Sequence, residues 1–241
     1  MDIPGKVTII TGASAGIGLT TARRFAAAGA KLVLVARSAD KLAALAEELR
    51  SQGHDALPLP ADMRDPAAVD RMIEQAFEHY GRIDILINNA GQAAAGTVAQ
   101  VRPDDYRQII ELNLFGVLYA IQAAVPKMRQ GGGGLIINIS SMVSKMRIPG
   151  LAAYASTKSA LNMLSDTARV ELAPDNIRVI TVYPRLTATN FGKNSLGDPQ
   201  VRQRQRAHTT TGPNPADSPE LVADRILEAA QREPPEQFMD A

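Results

Sequence analysis

A tyrosine and a lysine in the second half of the chain are spaced for proton transfer. Tyr154 and Lys158 stand four residues apart in a segment with a helical pattern, so both side chains share one helix face. An ordinary tyrosine, with a pKa of about 10, is a poor base near neutrality. A positive charge about 4 Å away supplies roughly the 4 kcal/mol needed to bring that pKa to about 7. The pair predicts a general acid and base, Tyr154, whose pKa Lys158 lowers, although such spacing also arises by chance.

A glycine-rich turn near the start of the chain has the form of a phosphate-binding loop. Residues 11–18 read TGASAGIG and stand between a predicted strand and a predicted helix. Gly12 permits a tight turn, Gly16 lets the backbone approach a pyrophosphate, and Gly18 lets the helix pack close to the strand. The N–H groups of the helix N-terminus favour an anion. An ordinary strand-to-helix loop is the alternative, but the position of the glycines favours a nucleotide cofactor.

The TGxxxGxG spacing of this turn resembles that of the short-chain dehydrogenase/reductase family, and the resemblance covers essentially the whole chain. Asn113, Ser141, Tyr154 and Lys158 match the catalytic residues of that family in order and spacing. The resemblance implies hydride transfer between a nicotinamide cofactor and a carbonyl or alcohol, with Ser141 hydrogen-bonded to the substrate oxygen. It also implies that Lys158 contacts the nicotinamide ribose, and that Asn113 interrupts regular helix bonding and orders a water linking Lys158 to solvent. The neighbouring Ser140 fits the spacing less well.

The end of the second predicted strand indicates which nicotinamide cofactor is bound. NAD-binding members of the family carry an acidic residue there, which holds the ribose hydroxyls. This chain has Ala36 followed by Arg37, as in members that prefer NADP, and Ser38 adds a possible donor. A guanidinium pairs with a 2′-phosphate, which a carboxylate would repel. The missing acid favours NADP(H), whereas a solvated arginine at a strand end is the alternative. Because Ala15 adds no second basic residue, the preference need not be absolute.

Two further segments match the family's adenosine site. Asp62 matches the aspartate that contacts adenine, with Met63 beside it, and residues 88–91 match the NNAG element. A loop or capping residue is the alternative for Asp62. The complete set expected to contact the cofactor is Gly12, Ser14, Ala15, Gly16, Ile17, Gly18, Arg37, Ser38, Asp62, Met63, Asn89, Ala90, Gly91, Tyr154, Lys158, Pro184, Arg185, Thr187 and Thr189.

The segment after the sixth predicted strand departs from the family pattern. Pro184 and Thr189 match residues near the nicotinamide carboxamide. Arg185 replaces the usual glycine, and Thr187 replaces an aliphatic residue. If the backbone at this position needed a positive φ, an arginine would be strained. Two expectations for Arg185 stay open: that it points into the substrate cleft or toward a phosphate, and that it faces solvent.

Strand and helix patterns alternate along the chain. The strand candidates are Lys6–Thr11, Lys31–Ala36, Ala56–Pro60, Ile83–Asn88, Leu135–Ser140, Ile177–Tyr183 and Gln237–Met239. The helix candidates are Ile17–Ala28, Ala39–Ser51, Ala67–Tyr80, Pro103–Arg129, Ala153–Leu172 and Glu220–Arg232. Several strands are continuous apolar runs, typical of strands buried on both faces. The pattern predicts an α/β fold, a Rossmann-like doubly wound parallel sheet of about seven strands flanked by helices.

No linker divides the chain, so residues 1–241 are expected to form a single NADP-binding domain. Residues 187–219 are polar and include the basic run of Arg202, Arg204 and Arg206. A loop this long inside a compact domain is usually functional or mobile, so a substrate lid is expected there. The three arginines could meet an anionic substrate, although a solvated face is the simpler interpretation. The substrate pocket is expected to be lined by Gln92, Ala93, Met142, Val143 and Met146.

Composition excludes several classes of protein. The 26 basic and 25 acidic residues leave a net charge of +1, which argues against nucleic-acid binding. The chain has no cysteine, which excludes disulfides and thiolate sites, and its three histidines lack metal-ligand spacing, so no metal is expected. No apolar run is expected to span a membrane, and the early glycine turn leaves no room for a signal peptide. The expected compartment is the cytoplasm.

Three kinds of function remain for such a chain. The first is an NADP(H)-dependent oxidoreductase that acts on a small carbonyl or alcohol. The second is a non-catalytic NADP(H)-binding or sensing protein on the same fold, and the third is an interaction protein that uses its long helices as an interface. The intact Asn, Ser, Tyr and Lys set favours the first. Because family members commonly pair these helices across a dimer, a homodimer or homotetramer is also expected.

Overall fold

A single parallel sheet forms the centre of the molecule. The computed structural model describes residues 1–198 and 216–239. Within them the sheet has the strand order β3-β2-β1-β4-β6-β7-β9, and every neighbouring pair is parallel. The strands are β1 Val7–Thr11, β2 Lys31–Ala36, β3 Ala56–Pro60, β4 Ile85–Asn88, β5 Ala94–Ala95, β6 Gly134–Ile139, β7 Ile177–Tyr183, β8 Leu196–Gly197 and β9 Glu236–Phe238. The predicted α/β class and parallel sheet are confirmed.

Helices cover both faces of this sheet. They are α1 Gly16–Ala27, α2 Ala39–Ser51, α3 Pro66–Tyr80, α4 Pro103–Ile110, α5 Gly116–Gln130, α6 Ala152–Leu172 and α7 Pro219–Arg232. The apolar sides of α1, α2 and α7 pack on one face, in a core that includes Phe25, Leu45 and Ile226. Those of α3, α5 and α6 pack on the other face. Two covered faces explain why β1 and β6 are buried along their whole length.

The strand order places the ends of β1 and β4 at the point where the chain changes direction. From β1 the sheet grows through β2 to β3 on one side, and from β4 it grows through β6 and β7 on the other. In open α/β sheets of this kind, ligands bind at the carboxyl ends of the strands beside the switch point. The glycine turn follows β1 and the Asn-Asn-Ala-Gly segment follows β4, so both lie there.

The predicted continuous helix Pro103–Arg129 is interrupted. A π-helical turn, Glu111–Phe115, separates α4 from α5 and contains Asn113. The family resemblance implies such an interruption at Asn113, although the apolar residues around it continue the helical period. Among the described residues, the helical stretch Pro103–Gln130 is long and apolar enough to cross a membrane by length and composition, with an 18-residue window of mean hydropathy 1.5, a test that the core helix of a soluble protein also passes. Its inner side packs in the core through Val117, Ala120 and Ala124.

A second, two-stranded sheet lies next to the switch point. In it β5 pairs with β8, which belongs to the segment predicted to be a lid. The Ser195 hydroxyl donates to Ala93 O at 3.2 Å, and Leu196 N donates to the same oxygen at 2.8 Å. The beginning of the predicted lid therefore docks on the segment after β4. Residues 199–215 of the lid, with Arg202, Arg204 and Arg206, lie outside the described residues.

Candidate active site

The α6 helix presents Tyr154 and Lys158 on its buried side, one turn apart. The Lys158 ammonium donates to Ile139 O, at the end of β6, over 2.8 Å. Its side chain is only 4% exposed. Burial lowers the pKa of Lys158 to about 8, because a charged amine loses its hydration in the protein interior.

Burial shifts the pKa of Tyr154 in the opposite direction. It raises the pKa of this phenol to about 12, while a hydrogen bond from Ser141 acts in the lowering direction. The expectation that Lys158 lowers the pKa of Tyr154 is therefore wrong for the protein without bound cofactor or substrate. The physical reason is that desolvation dominates at Tyr154, whereas the Lys158 ammonium is directed at Ile139 O. A phenol with this pKa carries its proton at neutral pH, which suits donation to a substrate oxygen.

Ser141 follows β6 and lies beside the phenol. Its side chain accepts a hydrogen bond from Val143 N at 3.3 Å and begins a 3-10 turn, Met142–Lys145. The turn is tied to the end of β7 by Met142 N, which donates to Pro184 O at 2.9 Å. Ser141 thus faces Tyr154 from the carboxyl end of a central strand.

The neighbouring Ser140 is directed away from the phenol. Its hydroxyl donates to Asn162 Oδ1 at 2.5 Å, and Asn162 Nδ2 donates to Ser144 Oγ at 3.0 Å. The Ser144 hydroxyl in turn donates to Ser141 O at 2.7 Å. The three bonds link α6 to the backbone of Ser141. Sequence reasoning missed Asn162, whose only signal is its position one turn after Lys158 on the same helix.

Asn113 reaches the same cluster from the π-helical turn and is fully buried. Its Nδ2 donates to Gln92 O at 2.8 Å and to Thr157 Oγ1 at 3.0 Å, while its Oδ1 accepts from Gln92 N at 2.9 Å. A Cβ atom at Gly91 would lie 3.3 Å from Asn113 Oδ1 and 3.7 Å from Lys158 Nζ. The structure therefore brings the Asn113 amide and the Lys158 ammonium together around Gly91.

The glycine turn has no room for larger residues. A Cβ atom at Gly12 would lie 2.8 Å from Asn89 Nδ2, and one at Gly18 would clash with Gly12 O. Gly12 and Gly16 have φ of 71° and 54°, which favours glycine. The Asn89 amide donates to Thr11 O at 2.8 Å, which fixes β4 against the turn.

The N-terminus of α1 points its backbone donors at the space above this turn. Ala15, at the N-cap, makes no side-chain cap. The first N–H groups of α1 thus remain available for an anion, as pyrophosphate binding requires. Ser14, Ile17 and Ala90 flank the same turn. Narrow glycine packing and an uncapped helix together fit a dinucleotide.

The adenosine end of this cleft lies where β2 and β3 end. Arg37 is exposed after β2 and Ser38 occupies the N-cap position of α2. Asp62 follows β3, and Ala61 N donates to Ala36 O at 3.0 Å, which places the two strand ends side by side. Met63 is buried against Gly116 of α5, where a Cβ atom would lie 2.7 Å from Met63 O.

Arg64 is a charged residue of this end that sequence reasoning missed. It forms an ion pair with Asp62 at 2.6 Å. Hydrogen bonds from the Arg64 guanidinium lower the pKa of Asp62, and the positive charge of Arg37 adds to the lowering. The sequence carried only one signal, a basic residue two positions after an acid.

The side chains of the segment after β7 contact two different parts of the molecule. Thr189 lies against the glycine turn, since a Cβ atom at Gly16 would be 3.2 Å from its methyl group. Arg185 instead pairs with Asp217, just before α7, through Nε to Oδ2 at 3.2 Å and Nη2 to Oδ1 at 2.8 Å. Thr187 forms a parallel bridge with the same Asp217.

The expectation of an arginine that faces solvent agrees in part, since the side chain is 40% exposed, and the guanidinium pairs with the Asp217 carboxylate, which is 5% exposed. The other expectation, a position in the substrate cleft or toward a phosphate, stays a prediction. The φ angle of Arg185 is not positive. An arginine in place of the family's glycine therefore causes no backbone strain at this position. The Arg185 and Asp217 pair joins the two ends of the segment predicted to be a lid.

Aromatic contact closes the cleft near the phenol. The ring of Phe191 lies 5.7 Å from that of Tyr154, centroid to centroid. Gln92, expected to line the pocket, donates from Nε2 to Asn194 O at 2.7 Å. Ala93 and Val143 pack in the small apolar cluster around Tyr154. The described start of the predicted lid therefore contacts the candidate catalytic residues.

Comparisons with known proteins agree with this arrangement. The family model of short chain dehydrogenases matches residues 6–199. An uncharacterized oxidoreductase of Staphylococcus saprophyticus is 36% identical over 205 residues, which cover 84% of this chain and 82% of that protein.

Two solved structures with bound cofactors are also similar. L-Sorbose reductase of Gluconobacter frateurii, complexed with NADPH and L-sorbose, has a TM-score of 0.82 and 31% identity, covering 95% of this chain and 91% of its own. The 3-ketoacyl-(acyl-carrier-protein) reductase of Brucella melitensis, complexed with NADH, has a TM-score of 0.83 and 30% identity, covering 94% and 91%. Both NADH and NADPH thus occur among these relatives.

Proposed function

This chain belongs to the short-chain dehydrogenase/reductase family of oxidoreductases, and on that premise we propose that it is NADP(H)-dependent and interconverts a carbonyl and an alcohol. One observation carries the proposal. Ser141 and Tyr154 meet at the carboxyl edge of the sheet, with Lys158 and Asn113 buried behind them. The uncapped N-terminus of α1 opens at the same edge.

Each side chain of this cluster has a defined task in carbonyl reduction. When bound, the reduced nicotinamide supplies the hydride. Tyr154 donates its proton to the substrate oxygen, for which its raised pKa keeps it protonated. Ser141 orients the same oxygen by a hydrogen bond. On the family's pattern Lys158 would contact the nicotinamide ribose, and Asn113 keeps the backbone at Gln92 in place.

The preference for NADP(H) rests on the adenosine end. Ala36 stands where a carboxylate would hold ribose hydroxyls, and Arg37 follows it, exposed to solvent. A guanidinium at this position pairs with a 2′-phosphate. The NADPH complex of L-sorbose reductase supports the choice, although the NADH complex of the ketoacyl reductase shows that the fold by itself does not decide it.

The proposal is tested by binding and turnover measured side by side. NADPH and NADH are titrated by fluorescence, and NADPH consumption is followed against ketones, diketones and aldehydes. Tyr154→Phe should lower turnover by about 10²–10⁴-fold without weakening NADPH binding, because it removes only the proton donor. The matched control is Tyr106→Phe. It removes a phenolic hydroxyl that is hydrogen-bonded to Ser156 Oγ at 2.7 Å, and it should leave turnover unchanged.

Two outcomes would contradict the proposal. Equal turnover in Tyr154→Phe and the wild type would exclude Tyr154 as the proton donor. Tight NADPH binding without turnover of any carbonyl would favour a binding or sensing protein instead.

A homo-oligomer is also proposed, on the exposed apolar residues of α6 and of the turn before α5. Met163 and Val170 of α6 are 68% and 75% exposed, and Phe115, at the end of the π-helical turn before α5, is 38% exposed. Exposed large apolar side chains are typical of an interface between subunits when they form one patch. Light scattering on the purified protein should give twice or four times the mass of one chain.

A further inference from the structure

A second arginine stands beside Asp62, and its geometry is that of a clamp. Arg64 Nε donates to both carboxylate oxygens of Asp62, at 3.0 and 3.2 Å, and Arg64 Nη2 donates to Oδ2 at 2.6 Å. The backbone N–H of Arg64 also donates to Oδ1 at 3.0 Å. This bidentate arrangement fixes the carboxylate more firmly than a lysine could, since the guanidinium is planar with its donors in a fork.

Asp62 lies between two arginines from neighbouring strand ends. Arg37 follows β2 and Arg64 follows β3, and the backbone bond from Ala61 N to Ala36 O joins these ends. The positive charge of Arg37 also contributes to the lowered pKa of Asp62, in agreement with this placement of the strand ends. Among the described residues, no hydrogen bond or ion pair involves the Arg37 guanidinium, and none involves Arg64 Nη1. Both arginines thus keep donors for a further anion.

The charges of these three residues decide what this end accepts. Together they carry one positive charge, whereas Asp62 and Arg37 alone would be neutral. A 2′-phosphate carries close to two negative charges, so an uncompensated Asp62 nearby would repel it. The carboxylate is nevertheless expected at this place for adenine. The Arg64 guanidinium contacts this carboxylate and offsets its charge.

We propose that Arg64 is a specificity-determining residue that favours the 2′-phosphate by neutralising Asp62, alongside direct pairing by Arg37. The inference rests on the proposed use of NADP(H). The Asp62 carboxylate keeps the orientation expected for contact with adenine. Arg64 offsets the repulsion between this carboxylate and the 2′-phosphate. Two residues, not Arg37 alone, then set the preference.

Isothermal titration with nucleotide fragments tests this without a substrate. The full chain is titrated with adenosine 2′,5′-bisphosphate and with adenosine 5′-monophosphate, and the ratio of the two affinities is the readout. Arg64→Gln should lower that ratio about tenfold, the scale expected for one charge near a surface phosphate. The matched control is Arg71→Gln, because Arg71 is 66% exposed and approaches Asp65 only at 4.0 Å. It should leave the ratio unchanged.

A double variant separates charge from positioning. Asp62→Asn combined with Arg64→Gln restores one net positive charge at the cluster, so the ratio should return toward that of the wild type. If Arg64 only orients Asp62, the single variant will weaken both nucleotides equally and the ratio will not move, which overturns the inference. A lowered ratio that the double variant fails to restore overturns it as well.

If the proposed preference for NADP(H) is wrong, the titrations give a different result. If the wild type binds the bisphosphate no more tightly than the monophosphate, the preference for NADP(H) is wrong and the role of Arg64 falls with it. A wild-type preference that Arg64→Gln leaves intact rejects only the role of Arg64. Since the Asp62 and Arg64 side chains are each about 30% exposed, their pair contributes little to folding, and the variant should fold normally.

Discussion

The catalytic centre and the adenosine end hold their functional side chains in opposite ways. At the catalytic centre, Asn113 and Lys158 are buried and hydrogen-bonded to neighbouring elements. At the adenosine end, Arg37 is exposed and the Asp62–Arg64 pair is partly exposed. The first region fixes positions, and the second supplies charge.

This difference predicts different consequences of mutation in the two regions. A buried and hydrogen-bonded group works through geometry, so its loss should lower the rate of the chemical step with little effect on nucleotide affinity. An exposed charge works through attraction, so its loss should change affinity and the salt dependence of binding. The comparison fails if a change at the adenosine end lowers only the rate.

After the loss of Tyr154 or Lys158, the largest effect on turnover is expected at Ser141. Ser141→Ala removes the hydroxyl beside Tyr154, and turnover should fall by about 10²–10³-fold, as when a donor to a reacting oxygen is lost. The matched variant is Ser140→Ala, whose hydroxyl is bonded to Asn162 and which should retain most activity. Steady-state rates of both variants distinguish the two serines. A larger loss in Ser140→Ala would reverse their assignment.

A charge reversal should have the next largest effect, and on affinity alone. Arg37→Glu should weaken NADPH binding about a hundredfold and leave NADH binding within a few-fold, because only NADPH carries the 2′-phosphate. The measurement is a fluorescence titration at low and high salt, in which the wild-type preference should shrink as salt rises. Equal weakening of both cofactors would place Arg37 outside the phosphate site.

The buried lysine should cost stability at neutral pH. Burial lowers its folded-state pKa from 10.5 to about 8, so the folded protein disfavours the cation wherever Lys158 is protonated. Lys158→Met should therefore abolish turnover yet raise the free energy of unfolding at pH 7 by about 1–2 kcal/mol, net of the lost bond to Ile139 O. Urea unfolding provides the measurement.

The pH dependence gives the sign of that effect. Below about pH 8 both the folded and the unfolded wild type carry the proton, and the cost is fully present. As pH rises from about 8 toward 10.5, the folded state has released the proton and the unfolded state has not, so the wild type gains stability. The gap between Lys158→Met and the wild type should close over that range. A gap that widens would contradict the buried cation.

The smallest effect is expected at Arg185. Its pairing with Asp217 predicts that Arg185→Gln changes turnover and NADPH affinity less than threefold. Its guanidinium is 40% exposed, so the free energy of unfolding should fall by about 1 kcal/mol at most. Kinetics and urea unfolding check both values. A loss of NADPH affinity above tenfold would return Arg185 to the cofactor site.

The two regions also differ in how well they could be predicted from the sequence. Tyr154, Lys158 and Gly12 stand in fixed spacings within one helix or turn, so their proximity follows from local geometry. Charge at the adenosine end can come from several positions, and the Asp62–Arg64 contact depends on how the chain bends after β3. For that reason the sequence indicates a role for Arg37, whereas the role of Arg64 depends on the folded structure.

Burial is the other quantity that local patterns do not supply. The sequence predicts a lowered pKa at Tyr154 from the neighbouring Lys158, and the packed structure raises it because desolvation is larger. The family resemblance implies that Asn113 interrupts regular helix bonding, but the π-helical form of this turn does not follow from the local pattern. Its residues continue a helical period, and the contacts of Asn113 with Gln92 and Thr157 appear only in the folded chain.

The central claim is hydride transfer to a carbonyl carbon with Tyr154 as the proton donor. The most direct measurement incubates the enzyme with NADPH that carries deuterium at both C4 positions of the nicotinamide and a pooled set of carbonyl compounds, followed by mass spectrometry of the alcohols. We expect at least one alcohol that gains a single deuterium with the wild type, and about 10²–10⁴-fold less of it with Tyr154→Phe. Bound NADPH with no labelled alcohol, or equal labelling by Tyr154→Phe, would contradict it.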